Sequence, residues 1–398
     1  MSSAAKPVLP AGRIALNALP PLSLYIHIPW CIRKCPYCDF NSHEAKGTIP
    51  EKAYIDCLIS DLDHSLPKIW GRRVYSIFFG GGTPSLFSAE GIDAILTAVR
   101  ARVPLDAEAE ITLEANPGTF EADKFRDYRY AGINRLSIGI QSFNAQHLQA
   151  LGRVHNDHEA KRAIDIAQQN FDNINLDLMF ALPKQTLAEC AADVDTALAF
   201  GTNHLSIYHL TLEPNTLFHS FPPPLPDDDL AADMQEMIEA KLSGAGYGHY
   251  ETSAYAKPGR ESRHNLNYWR FGDYLGLGAG AHGKISFPDR ITREARFKQP
   301  KAYMEQAPVG LSNEEEKIIA PTELPFEFML NALRLSEGFS NTLFVERTGL
   351  PISLISRQLQ LATERGLIES DHLRVRPTAK GRLFLNDLLE MFLTGPRA

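Results

Sequence analysis

At 398 residues, 44% hydrophobic and 22% charged, the chain has the make-up of an ordinary globular protein, long enough for one large barrel-type domain and a small second one. A formal net charge of −8 argues against bulk attraction to nucleic acid or to an anionic membrane. No apolar run approaches the roughly 18–20 residues that crossing a bilayer requires, and the Ala- and Pro-rich start lacks a signal-peptide pattern. The expectation is a soluble cytoplasmic protein with a disordered lead-in over residues 1–20 and no transmembrane segment, for which only peripheral membrane contact stays open.

From Leu22 onward, short β-branched or aromatic runs alternate with amphipathic stretches. The spacing predicts strands at Leu22–Ile28, Val74–Phe79, Ala109–Glu114, Arg135–Ile140, Ile174–Phe180 and Leu205–His209. It predicts helices at Lys52–Leu66, Ser88–Arg100, Thr119–Tyr130, Asp157–Gln169 and Thr186–Phe200. Ser88 and Thr119 suit N-caps, and Thr186 with Glu189 forms a capping box. Strand–helix alternation implies parallel strands joined by right-handed crossovers. Six repeats rather than eight point to an α/β fold with a partial TIM-type (β/α)6 barrel. The expected core with its extension covers residues 21–300, including a helix at Asp227–Leu242. A small α+β domain is expected over 310–398, where Phe344–Thr348, Ser353–Arg365 and Leu373–Pro377 read as helix-turn-helix and wing.

Cys31, Cys35 and Cys38 fall within eight residues, on the loop after the first predicted strand. C-x3-C-x2-C spacing suits a loop wrapped around one cubane iron–sulfur cluster. Such a cluster asks for four ligands, so three cysteines leave one iron open to an exchangeable molecule. A structural zinc site would want a second Cys or His pair downstream at finger-like spacing. Cys57 and Cys190 are singletons inside helical patterns and read as small core residues.

Gly80-Gly-Gly-Thr-Pro84 follows the second strand directly. Consecutive amides there can approach a ligand without Cβ interference. Glu114 closes the third strand, Gln141 follows the fourth, and Asp177 lies within the fifth. In β/α barrels the reacting centre sits at the carboxyl ends of the strands, so these groups are expected to converge on one mouth. Arg153, beyond Gln141, is placed to pair with a carboxylate. Gly278-Ala-Gly-Ala-His-Gly283 matches G-x-G-x-x-G literally, yet it opens no convincing helix and sits in no fresh βαβ unit. It reads as backbone lining the mouth or as a packing turn rather than a dinucleotide site.

Tyr25-Ile-His-Ile-Pro-Trp-Cys31 with its cysteine spacing, then GGGTPS, LEANP, IGIQSF, LGRVH and LDLMFALP, resembles the radical S-adenosylmethionine (SAM) superfamily. Within it the chain resembles the coproporphyrinogen III dehydrogenase-like branch. The resemblance implies a [4Fe–4S] cluster on Cys31, Cys35 and Cys38, with S-adenosyl-L-methionine on the fourth iron. It also implies SAM contacts from Tyr25, Tyr37, Gly81, Gly82, Thr83, Glu114, Gln141, Arg153 and Asp177. The family chemistry is one-electron reduction of the sulfonium to a 5′-deoxyadenosyl radical.

The oxygen-independent dehydrogenases of that branch resemble C-x3-C-x2-C-x-C, and here the last position is Phe40. They also carry a longer N-terminal arm. In contrast, Cys-Asp-Phe40 and His264-Asn-x-x-Tyr-Trp269 resemble the HemW-type heme chaperones, which bind heme and pass it to acceptor proteins. The resemblance makes His264 an expected heme-iron ligand, oriented by Asn265, with Tyr268 and Trp269 offering flat faces to a porphyrin. The alternative is radical oxidative decarboxylation of coproporphyrinogen III. The C-terminal domain is of the HemN type, and its nine Lys/Arg balance nine Asp/Glu from Pro321 onward, so no nucleic-acid partner is expected.

Overall fold

A computed structural model describes residues 14–119 and 122–393. Six parallel strands form the centre in sequence order: β1 (Leu22–Ile28), β2 (Val74–Gly81), β3 (Leu105–Ala115), β4 (Arg135–Gln141), β5 (Ile174–Phe180) and β6 (His204–His209). Helices Glu51–Ile69, Ala89–Arg102, Ala122–Ala131, Asp157–Asn170 and Leu187–Ala199 make the crossovers. Every predicted strand and helix of this segment is present, with ends shifted by a few residues. Ser88 caps its helix by accepting from Gly91 N, and the Thr186–Glu189 box closes in both directions. The Thr119 side chain lies outside the described residues, so its cap does too.

Period-2 alternation sorts the strand side chains. Leu22, Leu24, Ile26 and Ile28 join Ile77, Phe79, Ile111, Leu113, Leu136 and Leu176 in the main core, under the helices. The intervening residues, among them Ser23, Tyr25, His27, Glu110, Glu114, Asn175 and Asp177, point to the other face and line the barrel. Burying each large apolar side chain contributes about 1.5–3 kcal/mol. The helical layer therefore holds the barrel closed and leaves its inner face free to be polar.

The sheet continues past both edges. Asp273–Leu277 pairs parallel to β1, and His282–Phe287, Arg290–Arg296 and Asn313–Ile318 add antiparallel strands beyond it. Ala254–Ala256 and Gly248–Glu251 extend the edge at β6. The result is one twelve-stranded sheet. This corrects the expected boundaries of 300 and 310, because Asn313–Ile318 belongs to the large sheet.

The C-terminal unit has the expected winged-helix form. Helices Asn341–Thr348 and Ser356–Glu364 pack with a three-stranded antiparallel sheet of Phe339–Ser340, Arg374–Pro377 and Ile368–Ser370. Phe328 sits edge-on to Phe271, Phe339 and Phe344, tying this unit to the barrel side. The expectation of a disordered lead-in needs correction for residues 14–20. Ile14 and Leu16 are buried in the C-terminal core, and Leu16 N donates to Pro288 O. Residues 1–13 lie outside the described residues.

Candidate cluster and ligand site at the barrel mouth

The loop leaving β1 presents Cys31, Cys35 and Cys38 as free, half-buried thiols. Among the described residues, no three His, Cys, Asp or Glu side chains gather as ligands of one metal ion. Each sulfur also has a polar neighbour. Arg153 Nη1 donates to Cys35 Sγ at 3.8 Å, Ser42 Oγ lies 3.8 Å from Cys38 Sγ, and the Thr83 hydroxyl hydrogen-bonds Cys31. Burial raises the Cys31 and Cys38 thiols, so without a metal they stay protonated. The donor set suits a [4Fe–4S] cluster.

The glycine turn is pressed against this loop. Gly82 N donates to Ile28 O and Thr83 N to Trp30 O, and a Cβ on Gly82 would sit 2.5 Å from Trp30 O. Gly81 has φ +114, and a Cβ there would meet the His27 ring at 2.5 Å. Neither position admits a side chain without displacing the strand that carries the cysteines. His27 is neutral, its pKa pushed down to about 4 by burial. Its Nε2–H therefore donates to Asn41 O, and its Nδ1 accepts from the Tyr25 hydroxyl. Gly278-Ala-Gly-Ala-His-Gly283 proves to be a packing turn. Gly278 has φ +102 and closes on His27 O, while Tyr54 bridges His27 O and Ala279 N.

Further in, the two strand-end acids sit out of water, and among the described residues no cation is bonded to either. Glu114 accepts from Gly81 N at 3.2 Å, and its pKa is pushed up to about 8 by burial and by Asp177. Asp177 accepts from Ser137 and Asn175, and burial lifts it to about 6. Gln141 adopts φ 69, the strained left-handed region for a non-glycine residue, where β4 ends. Arg153 reaches back to the same place. Its Nη2 donates to Asn116 Oδ1 and Gly139 O, and its buried Nε has no hydrogen-bond partner among the described residues. Tyr37 lies between Cys35 and Cys38, its ring tilted against Phe218. Tyr25, Tyr37, Gly81, Gly82, Thr83, Glu114, Gln141, Arg153 and Asp177 thus gather with the cysteines at one end of the barrel.

His264 stands at the other end. It lies on the helix Arg263–Trp269 and is 2% exposed. It reaches Ser76 Oγ at 3.0 Å, and its backbone N donates to Glu110. Ser76 pairs in register with Ser23, near the start of β1, so the imidazole lies about 17 Å of strand below the cysteine loop. Its ring packs between Phe78 and Tyr268. The faces expected to receive a porphyrin are already occupied: Tyr268 stacks on Tyr274 at 4.0 Å, and Arg334 lies over Trp269. Among the described residues the Asn265 side chain makes no hydrogen bond to the ring, and its backbone N donates to the N-cap Ser262. The motif plugs the barrel floor.

Sequence reasoning missed Asn116, which bonds both Arg153 and Thr83, and Ser42 beside Cys38. Asn116 lies inside the LEANP run, directly after Glu114 and Ala115, so the run itself carried the signal.

The Radical SAM superfamily model matches residues 25–197, and the HemN C-terminal domain model matches 319–384. Heme chaperone HemW of Escherichia coli K12 is 52% identical, over 94% of this chain and 99% of that protein. The chain belongs to the HemW family. The HemW protein of Haemophilus influenzae is similar at 50% identity, again over 94% and 99% of the two chains. The crystal structure of coproporphyrinogen III oxidase (HemN) of Escherichia coli matches with a TM-score of 0.81 at 24% identity, over 94% of this chain and 91% of that one, which establishes a shared fold. Membership of the radical SAM superfamily implies a [4Fe–4S] cluster and SAM. Among the described residues, no helix is long and apolar enough to cross a membrane.

Proposed function

We propose that this protein is a cytoplasmic heme chaperone, which binds heme and passes it to acceptor proteins. The observation that carries the reading is the end-to-end likeness to relatives named heme chaperones. Cys31, Cys35 and Cys38 would hold one [4Fe–4S] cluster, which when bound supplies single electrons to the sulfonium of SAM.

The chain's own residues would hold that SAM. Glu114 and Asp177 are desolvated acceptors whose ionised forms a ligand ammonium would favour. Ribose hydroxyls can donate to the same oxygens. Arg153 offers its unpartnered Nε to a carboxylate, and Tyr37 its ring to the adenine. Gly81 and Gly82 bring backbone close to the ligand where any side chain would block it.

His264 remains the proposed heme-iron ligand, on one physical ground. Ser76 donates to Ser23 Oγ, so Ser76 Oγ accepts from His264 Nδ1–H, and the Nε2 lone pair is left buried without a partner. Burial pushes this imidazole down to about 3, so it stays neutral. A neutral imidazole whose other nitrogen is hydrogen-bonded is the form that ligates iron. Iron reaches Nε2 only if the helix Arg263–Trp269 leaves the floor.

The test is anaerobic reconstitution followed by heme titration and a porphyrinogen assay. The expected result is heme binding without formation of protoporphyrinogen. Turnover of porphyrinogen with no heme binding would overturn the reading in favour of a dehydrogenase. His264→Ala should weaken heme binding and alter the Soret band while leaving iron, sulfide and SAM binding intact. An unchanged Soret band in that variant assigns His264 to the floor alone.

A further inference from the structure

Asn116 sits between two groups that touch the cysteine loop. Its Oδ1 accepts from Arg153 Nη2 at 2.6 Å, and its Nδ2 donates to Thr83 Oγ1 at 2.8 Å. Because Thr83 Oγ1 accepts that bond, its own hydrogen is directed elsewhere, to Cys31. With its Nη2 held by the same amide and by Gly139 O, Arg153 reaches Cys35 through Nη1. A Cβ on Gly139 would lie 2.9 Å from Asn116 Oδ1 and 3.3 Å from Arg153 Nη2, so only glycine leaves room for the pair. One amide thus orients a hydroxyl onto the first cysteine and a guanidinium onto the second. Ser42 lies beside the third, and its side chain also bonds the first.

We propose that Asn116 is a positioning residue which, through Thr83 and Arg153, sets the reduction potential of the cluster that Cys31, Cys35 and Cys38 hold. The proposal rests on the cluster assignment made above. Cluster potentials follow net charge and hydrogen bonds to the sulfurs. Reduction adds one electron to the cluster, and a nearby cation and N–H or O–H donors favour the more negative, reduced state. Charge-assisted bonds are the stronger ones. Arg153 is therefore the larger lever, and Asn116 acts by aiming it.

The test uses the reconstituted full chain under anaerobic conditions, with iron and sulfide content and the midpoint potential read by electron paramagnetic resonance during a redox titration. Arg153→Gln and Asn116→Ala should keep their iron and sulfide and shift the potential to more negative values, Arg153→Gln by more. Ser42→Ala should give a small shift in the same direction. Potentials unchanged in Arg153→Gln and Asn116→Ala at full cluster content would overturn the proposal. Loss of iron and sulfide from a folded Asn116→Ala would also overturn it, since the amide would then brace the loop rather than tune the cluster. Wild-type protein that takes up no iron and sulfide refutes the cluster assignment itself, an outcome read before any variant is made.

Discussion

Two regions of this molecule hold carboxylates out of water, with opposite results. Behind the helix Glu51–Ile69, Asp61, Glu294 and Arg296 are all fully buried, and Arg296 bonds both acids. Tyr303, Ser312, Ser65 and Lys68 complete that network, and Lys68 with Arg296 holds Glu294 below the usual carboxylate range despite its burial. Asp273 is likewise held low by Lys284 and Arg72. At the barrel mouth, Glu114 and Asp177 are as deeply desolvated but have no bonded cation, and both are pushed up. Burial supplies the same penalty in both places, and the partner decides the sign. A region that completes its charges internally serves as structure, and the one that leaves them incomplete is where we propose that the ligand binds.

The sharpest way to break the comparison is at the thiols. Replacing Cys31, Cys35 or Cys38 by Ser removes a soft ligand that oxygen replaces poorly at iron. Iron and sulfide should fall sharply on reconstitution, while Cys57→Ser and Cys190→Ser, at buried positions within crossover helices, should retain them. Equal loss from all five would contradict the assignment.

Next comes the completed network. Arg296→Met removes the cation that bonds both buried acids, leaving Glu294 with Lys68 and Asp61 with the Tyr303 and Ser312 hydroxyls, and should destabilise the fold by about 3–5 kcal/mol, measured by urea unfolding. A loss under about 1 kcal/mol would mean the pair contributes no more than a surface bridge.

The pH profile separates the two regions directly. The Glu114 pKa is raised from 4.5 to about 8, so its protonated form favours folding; that stability is full below pH 4.5 and is lost as pH rises through 8. Glu294 is shifted the other way, and its contribution is lost as pH falls through its lowered value. Glu114→Gln should therefore remove part of the stability loss between pH 5 and pH 9, and SAM should restore stability in the wild type there. A Gln variant with the wild-type profile would show that Glu114 already has its partner.

The smallest effect is expected at Phe40, exposed on the cysteine loop. Phe40→Cys restores the dehydrogenase-like spacing but no substrate contacts, and should create no measurable decarboxylation of coproporphyrinogen. Robust turnover would show that one cysteine separates the two activities.

The barrel strands and their helices were legible because each carries its own periodicity: β5 runs Ile174–Phe180 as its alternation predicts, and the Thr186–Glu189 box marks the following helix. The proposed cluster ligands stand out in the sequence for a similar reason, since three thiols on eight residues need no distant partner to be noticed. Position in space was harder to read. His264 carries a motif consistent with a heme ligand, and no local pattern says that its helix faces Ser76 at the barrel floor, 188 residues away in sequence.

The chain by itself determined the six β/α units, the cysteine loop and the glycine turn, because period-2 and period-3.6 patterning and turn chemistry act over a few residues. The tertiary structure alone decided the extra edge strands, the anchoring of Ile14 and Leu16, the Asn116 link between Arg153 and Thr83, and the floor position of His264. Each of these depends on a partner far along the chain, chosen by which surfaces remain unpaired once the barrel has closed.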